Sequence, residues 1–181
     1  IRDSKTLADQ YTINLQETER EESKVAEIQV QVSSNPGKIQ RFHYSSIIKL
    51  AHKPPEIPIN DCVDLNNTHN LSGSSFYNDG TLFHGPKFQG IQLLLNINEQ
   101  GLTLACILPE ISESELGPFA TDNFNPFAID LAFQAMLIWA WHFKKSGSLP
   151  LSMDMLEQFR LTAIGSKFYL TMTVNNNSPC L

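Results

Sequence analysis

The sequence predicts an α+β fold in which an antiparallel sheet curls around one long, buried helix. Three observations lead there. The stretch from Asn125-Pro126 to about Lys145 carries helix start and stop signals and is apolar on nearly every side. Segments before and after it alternate between apolar and polar residues, as strands do. Turn-forming residues cut those segments to hairpin length.

The elements follow in order. Tyr11 to Gln16 alternates, as do Val25 to Val32 and Phe42 to Leu50. Between the last two, Asn35-Pro36-Gly37 is a hairpin turn, with Pro fixing one dihedral and Gly accepting a positive one. The charged run Glu17 to Lys24 reads as a solvated connection or the tip of a long hairpin. From Lys53 to Ser75 come Pro54, Pro55 and Pro58 and then a polar stretch rich in Asn and Ser, the pattern of a surface linker. The expected organisation is strands in 1–52, a linker in 53–75 and a second structured block in 76–181. In that block Phe88 to Asn96 reads as a short helix or strand, and Gly101 to Leu108 as a strand ending at Pro109. A Ser/Glu/Gly/Pro loop leads to the long helix. It ends before Gly147, with Lys144 and Lys145 at the negative end of its dipole. Met155 to Ala163 and Lys167 to Val174 read as two strands around Gly165, and the tail from Asn175 as a loop. A helix apolar all round must be covered on most sides, and flanking strands can cover it. That arrangement is the hotdog fold, although a helix between two layers would leave the same pattern.

Composition narrows the function. The 181 residues are 41% hydrophobic and 18% charged, enough to bury a real core. The formal net charge is -6 and Lys/Arg are scattered, so no nucleic-acid or anionic-membrane partner is expected. The longest apolar run, Leu131 to Phe143, is broken by Gln134 and His142, and no signal peptide or spanning segment is read. Cys62, Cys106 and Cys180 are odd in number and far apart, which fits a reducing compartment. Asn66-Asn67-Thr68 and Asn70-Leu71-Ser72 match the glycosylation pattern and read as chance matches in a linker. No Gly-rich phosphate loop or His/Cys ligand spacing signals a cofactor or metal. An initial Ile rather than Met points to a piece of a longer chain. The expectation is a soluble, cytoplasmic fragment.

Two clusters carry candidate chemistry. Asp130 and Gln134 are the polar residues in the first two turns of the apolar helix and, four apart, share one face. A carboxylic acid among apolar groups keeps its proton to higher pH and can donate it to a leaving hydroxyl. Gln134 can hold the carboxyl or a substrate oxygen through its amide. The alternative is that Asp130 caps the helix and Gln134 meets a neighbouring backbone group. Upstream, the turns Asn78-Asp79-Gly80 and Gly85-Pro86 hold Phe83 and His84 in a short fixed segment. His84 is then either a site residue or a satisfied turn histidine.

Together the clusters resemble the dehydratase domains of polyketide synthases. Gly80 to Phe88 resembles their G-x-x-Y-G-P-x-F motif, and Asn125 to Gln134 their h-P-x-x-x-D-x-x-x-Q motif. Leu149-Pro150 resembles the stretch that follows the helix. The wording FHGPKFQG and FQAMLIWAW looks closest to bacterial polyunsaturated-fatty-acid synthases. The resemblance covers roughly 76 to 175, and more weakly 11 to 50. It implies the second hotdog of a double hotdog plus strands of the first. It also implies elimination of water from a 3-hydroxyacyl thioester, held on the phosphopantetheine of an acyl carrier protein, to give a 2-enoyl thioester. No metal or redox cofactor enters that reaction.

Position by position, the resemblance makes Asp130 the acid and Gln134 its partner, with His84, Gly85, Pro86 and Phe88 at the substrate. His84 replaces the motif tyrosine, a hydroxyl ligand in the family, and Asn125 a usual histidine. The implied partners are the carrier protein, other synthase domains and the first hotdog, with a homodimer as a further option. None of His43, His52, His69, His84 and His142 begins the H-x-x-x-G-x-x-x-x-P motif of the family's base. One hotdog needs about 110 to 130 residues, so two do not fit here. The chain alone is expected to be inactive. A catalytically incomplete acyl-chain or carrier-protein binding module, or a structural hotdog half, is the alternative.

Overall fold

The computed structural model describes residues 10–20, 25–35, 40–51, 56–58, 63–66, 68–110, 112, 125–160 and 162–175. The chain divides into two compact units, Ile1–Pro55 and Glu56–Leu181.

The first unit is a three-stranded antiparallel sheet in the order β1-β2-β3, with β1 Tyr11–Arg20, β2 Val25–Ser34 and β3 Arg41–Ala51. Each strand runs beyond the range read from its alternation. Pairing sets Ile13 against Val32, Leu15 against Val30, Val32 against Tyr44 and Ile28 against Ile48. Because strand side chains alternate between faces, these residues share one apolar face while Gln29 and Gln31 lie on the other. Ile13, Leu15 and Tyr44 are well exposed on that apolar face. Of the charged run Glu17 to Lys24, the first four residues continue β1 instead of forming a connection, and 21–24, like the Pro36-Gly37 turn, lie outside the described residues.

The second unit is built on a four-stranded antiparallel sheet, order β4-β5-β6-β7: β4 Leu71–Ser72, β5 Ile91–Asn98, β6 Gly101–Ile107 and β7 Lys167–Thr173. A short helix, α1 (Gly73–Asn78), and a single 3₁₀ turn, Pro86–Phe88, precede β5. The stretch read as a linker to Ser75 is therefore partly structured. Leu71 pairs with Leu94, and the Thr68 and His69 N–H groups both donate to the Leu95 carbonyl, at 3.0 and 3.1 Å. The β5 edge supplies these backbone partners, which composition alone does not reveal. Gly73 makes the approach possible, since a Cβ there would collide with the Ile91 carbonyl.

The long helix, α2, spans Pro126–Lys144. Asn125 Oδ1 accepts the N–H groups of Phe127 (3.0 Å) and Ala128 (3.4 Å), and Pro126 fills the first turn, where its missing N–H costs nothing. The helix closes at Lys145, which takes the left-handed conformation at φ 52°. Its buried residues are Leu131, Gln134, Ala135, Leu137 and Ile138. That is a single stripe facing Leu94, Leu104 and Cys106 in one core. Truncating Leu131, 1% exposed, would cost about 2–5 kcal/mol. Trp139 Nε1 donates to the Asn98 carbonyl at 2.9 Å and ties the helix to the end of β5.

Two expectations are corrected. The helix is not covered on all sides: Met136 and Trp141 are 43% and 48% exposed, because the sheet packs against one face. Residues 155–160 form no strand, and Met155 and Leu156 are exposed. The sheet position beside β6 is filled by β7, with Ile107 against Lys167. A hotdog-type fold is compatible with this sheet and helix. Among the described residues, no helix is long and apolar enough to cross a membrane.

Candidate active site

Asp130 and Gln134 lie one turn apart in the N-terminal half of α2, and the Gln134 amide is the centre of a hydrogen-bond network. Its Nε2 donates to Asp130 Oδ2 at 2.7 Å and to the Phe88 carbonyl at 2.8 Å. Its Oε1 accepts the Tyr77 hydroxyl at 2.8 Å. The Tyr77 oxygen in turn accepts the Ile91 N–H at 3.3 Å. Gln134 is fully buried, so every polar atom of its amide needs a partner and has one. Burial pushes the Tyr77 hydroxyl up to about 12, with smaller contributions from nearby Cys106 and Asp130, so it stays protonated at neutral pH.

The turn Gly85–Gln89 delivers the Phe88 carbonyl to this amide. Phe88 N donates to the Gly85 carbonyl (2.9 Å) and Gln89 N to the Pro86 carbonyl (3.2 Å). Gly85 and Pro86 are exposed and shape the turn. The Phe88 ring packs on Phe127 of α2, centroids 4.9 Å apart. Gly90 seats the segment against the helix, for a Cβ there would lie 2.6 Å from the Ile107 carbonyl and 2.8 Å from Leu131 Cδ1.

His84 comes to the same carboxylate, with Nε2 3.6 Å from Asp130 Oδ2. Its side chain is 14% exposed, against 26% for Asp130. Phe83 stacks on it at 4.5 Å, and the Gln89 side chain donates to its carbonyl at 2.9 Å. His84 Nδ1 is buried with no hydrogen-bond partner among the described residues.

The sequence-derived residues Asp130, Gln134, His84 and Phe88 thus converge, while Gly85 and Pro86 support them from the turn. Asp130 does not cap the helix; Asn125 does. Gln134 meets both the backbone, at Phe88, and the carboxyl, so the two readings of that residue hold together. Sequence reasoning missed Tyr77, whose signal was slight: an aromatic just before the Asn78-Asp79-Gly80 turn. The arrangement presents a carboxyl, fixed on one oxygen and a quarter exposed, beside a histidine whose second ring nitrogen is buried. Among the described residues, no three His, Cys, Asp or Glu side chains gather as metal ligands.

Comparison with known proteins bears on this geometry. The family model described as "Polyketide synthase dehydratase N-terminal domain" matches residues 66–179. One polyunsaturated fatty acid synthase subunit, from Thraustochytrium sp. (strain ATCC 26185 / S-3), is 38% identical over 104 residues. That alignment takes in 56% of this chain and 4% of the relative's length. No solved structure matches the chain. With the family match running across more than half of its length, and across both motif clusters, this chain belongs to the polyketide synthase dehydratase family.

Proposed function

We propose that this chain carries the acid half of a dehydratase site acting on 3-hydroxyacyl thioesters of an acyl carrier protein. The observation that carries the reading is the Asp130 carboxyl, held through Oδ2 by Gln134 and a quarter exposed. In the reaction a base takes a proton from C2, and the C2–H electron pair becomes the C2–C3 double bond. The C3–O bond breaks, and the departing oxygen takes the proton of Asp130 and leaves as water. Asp130 is left as carboxylate and regains a proton before the next turnover.

The base comes from outside this chain, in a first hotdog, since no histidine here begins the family's base motif. The amphipathic sheet of the first unit supports that reading, because its apolar face is exposed and calls for a covering partner. The family description names an N-terminal domain; the assignment of 76–181 to the second hotdog rests on the acid-bearing helix. The carrier protein and other synthase domains are the implied partners.

Two measurements test this. With a 3-hydroxyacyl thioester, the isolated chain should show negligible turnover; a rate near that of an assembled dehydratase would remove the outside base. In the assembled enzyme, Asp130→Asn should slow dehydration by at least ~10²-fold with the fold intact. Normal turnover in that variant would leave the binding or structural module as the better account.

A further inference from the structure

Resting on the reading of Asp130 as the acid, we infer that Tyr77 is a positioning residue that acts on Asp130 through the Gln134 amide. The direction of the network is set at its two backbone ends. The Phe88 carbonyl can only accept, so the Gln134 atom 2.8 Å away is its nitrogen. The Ile91 N–H can only donate, so the Tyr77 oxygen accepts there and turns its own proton elsewhere. That proton goes to Gln134 Oε1 at 2.8 Å. With the amide held this way round, its second N–H falls on Asp130 Oδ2.

Oδ2 is kept as an acceptor, and His84 Nε2 faces the same oxygen. A carboxylic acid carries its proton on one oxygen, so Oδ1 is the one that holds the transferable proton. Without the Tyr77 hydroxyl, Gln134 Oε1 is a buried acceptor with no donor, and one of the two constraints on the amide's orientation is gone. The Tyr77 ring also packs against the core. A merely structural role would therefore lower stability without touching the Gln134 amide or kcat selectively.

The test uses Tyr77→Phe, which keeps the ring. In ¹⁵N–¹H spectra of the 181-residue chain, the two Gln134 Nε2 protons are identified by their loss in Gln134→Ala. In folded Tyr77→Phe they should shift and exchange faster with solvent. In the assembled dehydratase, kcat should fall by roughly tenfold, the scale of one net hydrogen bond, with KM nearly unchanged. Tyr77→Phe/Gln134→Ala should be no slower than Gln134→Ala alone. Unchanged Gln134 resonances, or rate losses that multiply in the double variant, would overturn the inference. Should Tyr77→Phe not fold, 3-fluorotyrosine at position 77 keeps the hydroxyl and makes it a stronger donor; a Gln134 amide that does not respond then counts against the inference. Asp130→Asn separates the two claims. Full turnover there removes the acid but leaves the spectral effect of Tyr77 standing. An inactive Asp130→Asn with silent Tyr77→Phe spectra removes the positioning role alone.

Discussion

Replacing Gln134 by Leu separates what this side chain does for the fold from what Asp130 does for the chemistry. The volume is nearly conserved, so no cavity opens, and the cost comes from the partners left behind. The Tyr77 hydroxyl loses its acceptor and the Phe88 carbonyl its donor. Each such orphan costs about 1–3 kcal/mol, or ~2–6 together. The apolar surface of the leucine, at a position with no exposure, offsets about 1–2 kcal/mol. At mid-range the net loss is about 2–3 kcal/mol, a fall in Tm of roughly 8–12 °C for a unit of this size. Asp130→Asn should do the reverse. Asparagine still presents an oxygen to Gln134 Nε2, and the position is a quarter exposed, so stability should change by less than about 0.5 kcal/mol. Thermal and urea unfolding of the two variants beside the parent measure the contrast. A Gln134→Leu chain that melts with the parent would refute the account of the network, since no orphaned partner would then exist.

Two further outcomes follow. Gly90→Ala forces a methyl group to within 2.6 Å of the Ile107 carbonyl and should destabilise by about 1–3 kcal/mol, read by the urea midpoint; an unchanged midpoint would mean that the turn moves freely off the helix. Burial pushes the Cys106 thiol from its ordinary 9.0 up to about 12, so the unfolded chain gives up that proton first. The stability it contributes is complete below pH 9 and is lost as pH rises toward about 12, with Tyr77 adding to the fall between 10.0 and about 12. Urea unfolding at about pH 8 and about pH 10.5 should show a smaller drop for Cys106→Ala than for the parent; equal drops would contradict the assignment to Cys106.

Local signals were readable where the chain itself carries the cause. Asn125-Pro126 announces α2 because a side-chain oxygen and a proline meet the needs of a helix start, and both act within three residues. The strands of the first unit follow from alternation. Side-chain pattern does not say how many faces of a helix its surroundings reach, so the all-round apolar character of α2 pointed to more cover than the sheet provides. Nor could the pattern of Met155 to Ala163 reveal that β7 would hold the place beside β6. Tyr77 was out of reach for another reason. Its partner Gln134 is 57 residues away, and only the antiparallel return of the chain brings the hydroxyl to the amide. The acid and its helical neighbour are a local pattern, whereas what orients them is tertiary.

His84 is where this chain departs from the family's tyrosine, and the structure gives the departure a measurable form. A buried ring nitrogen with no partner among the described residues carries a desolvation cost that a ligand could relieve. Nε2 already faces Asp130, so on the proposed reading a substrate hydroxyl that reaches His84 would pair with Nδ1 once the groups covering that buried edge move aside. Phe83, stacked on the ring at 4.5 Å, restrains its rotation and would stack equally well on a phenyl ring. His84→Phe therefore removes the nitrogens while keeping the shape. If Nδ1 pairs with the 3-hydroxyl, the variant should bind a non-reactive 3-hydroxyacyl analogue about tenfold more weakly, the worth of one net hydrogen bond. Binding of the matching 3-deoxy analogue, which has nothing to offer Nδ1, should stay the same or tighten. Calorimetry with the two analogues on both proteins gives the four affinities needed. Equal losses for both would mean that His84 shapes the pocket without reading the hydroxyl, and no loss for either would place the substrate away from His84 altogether.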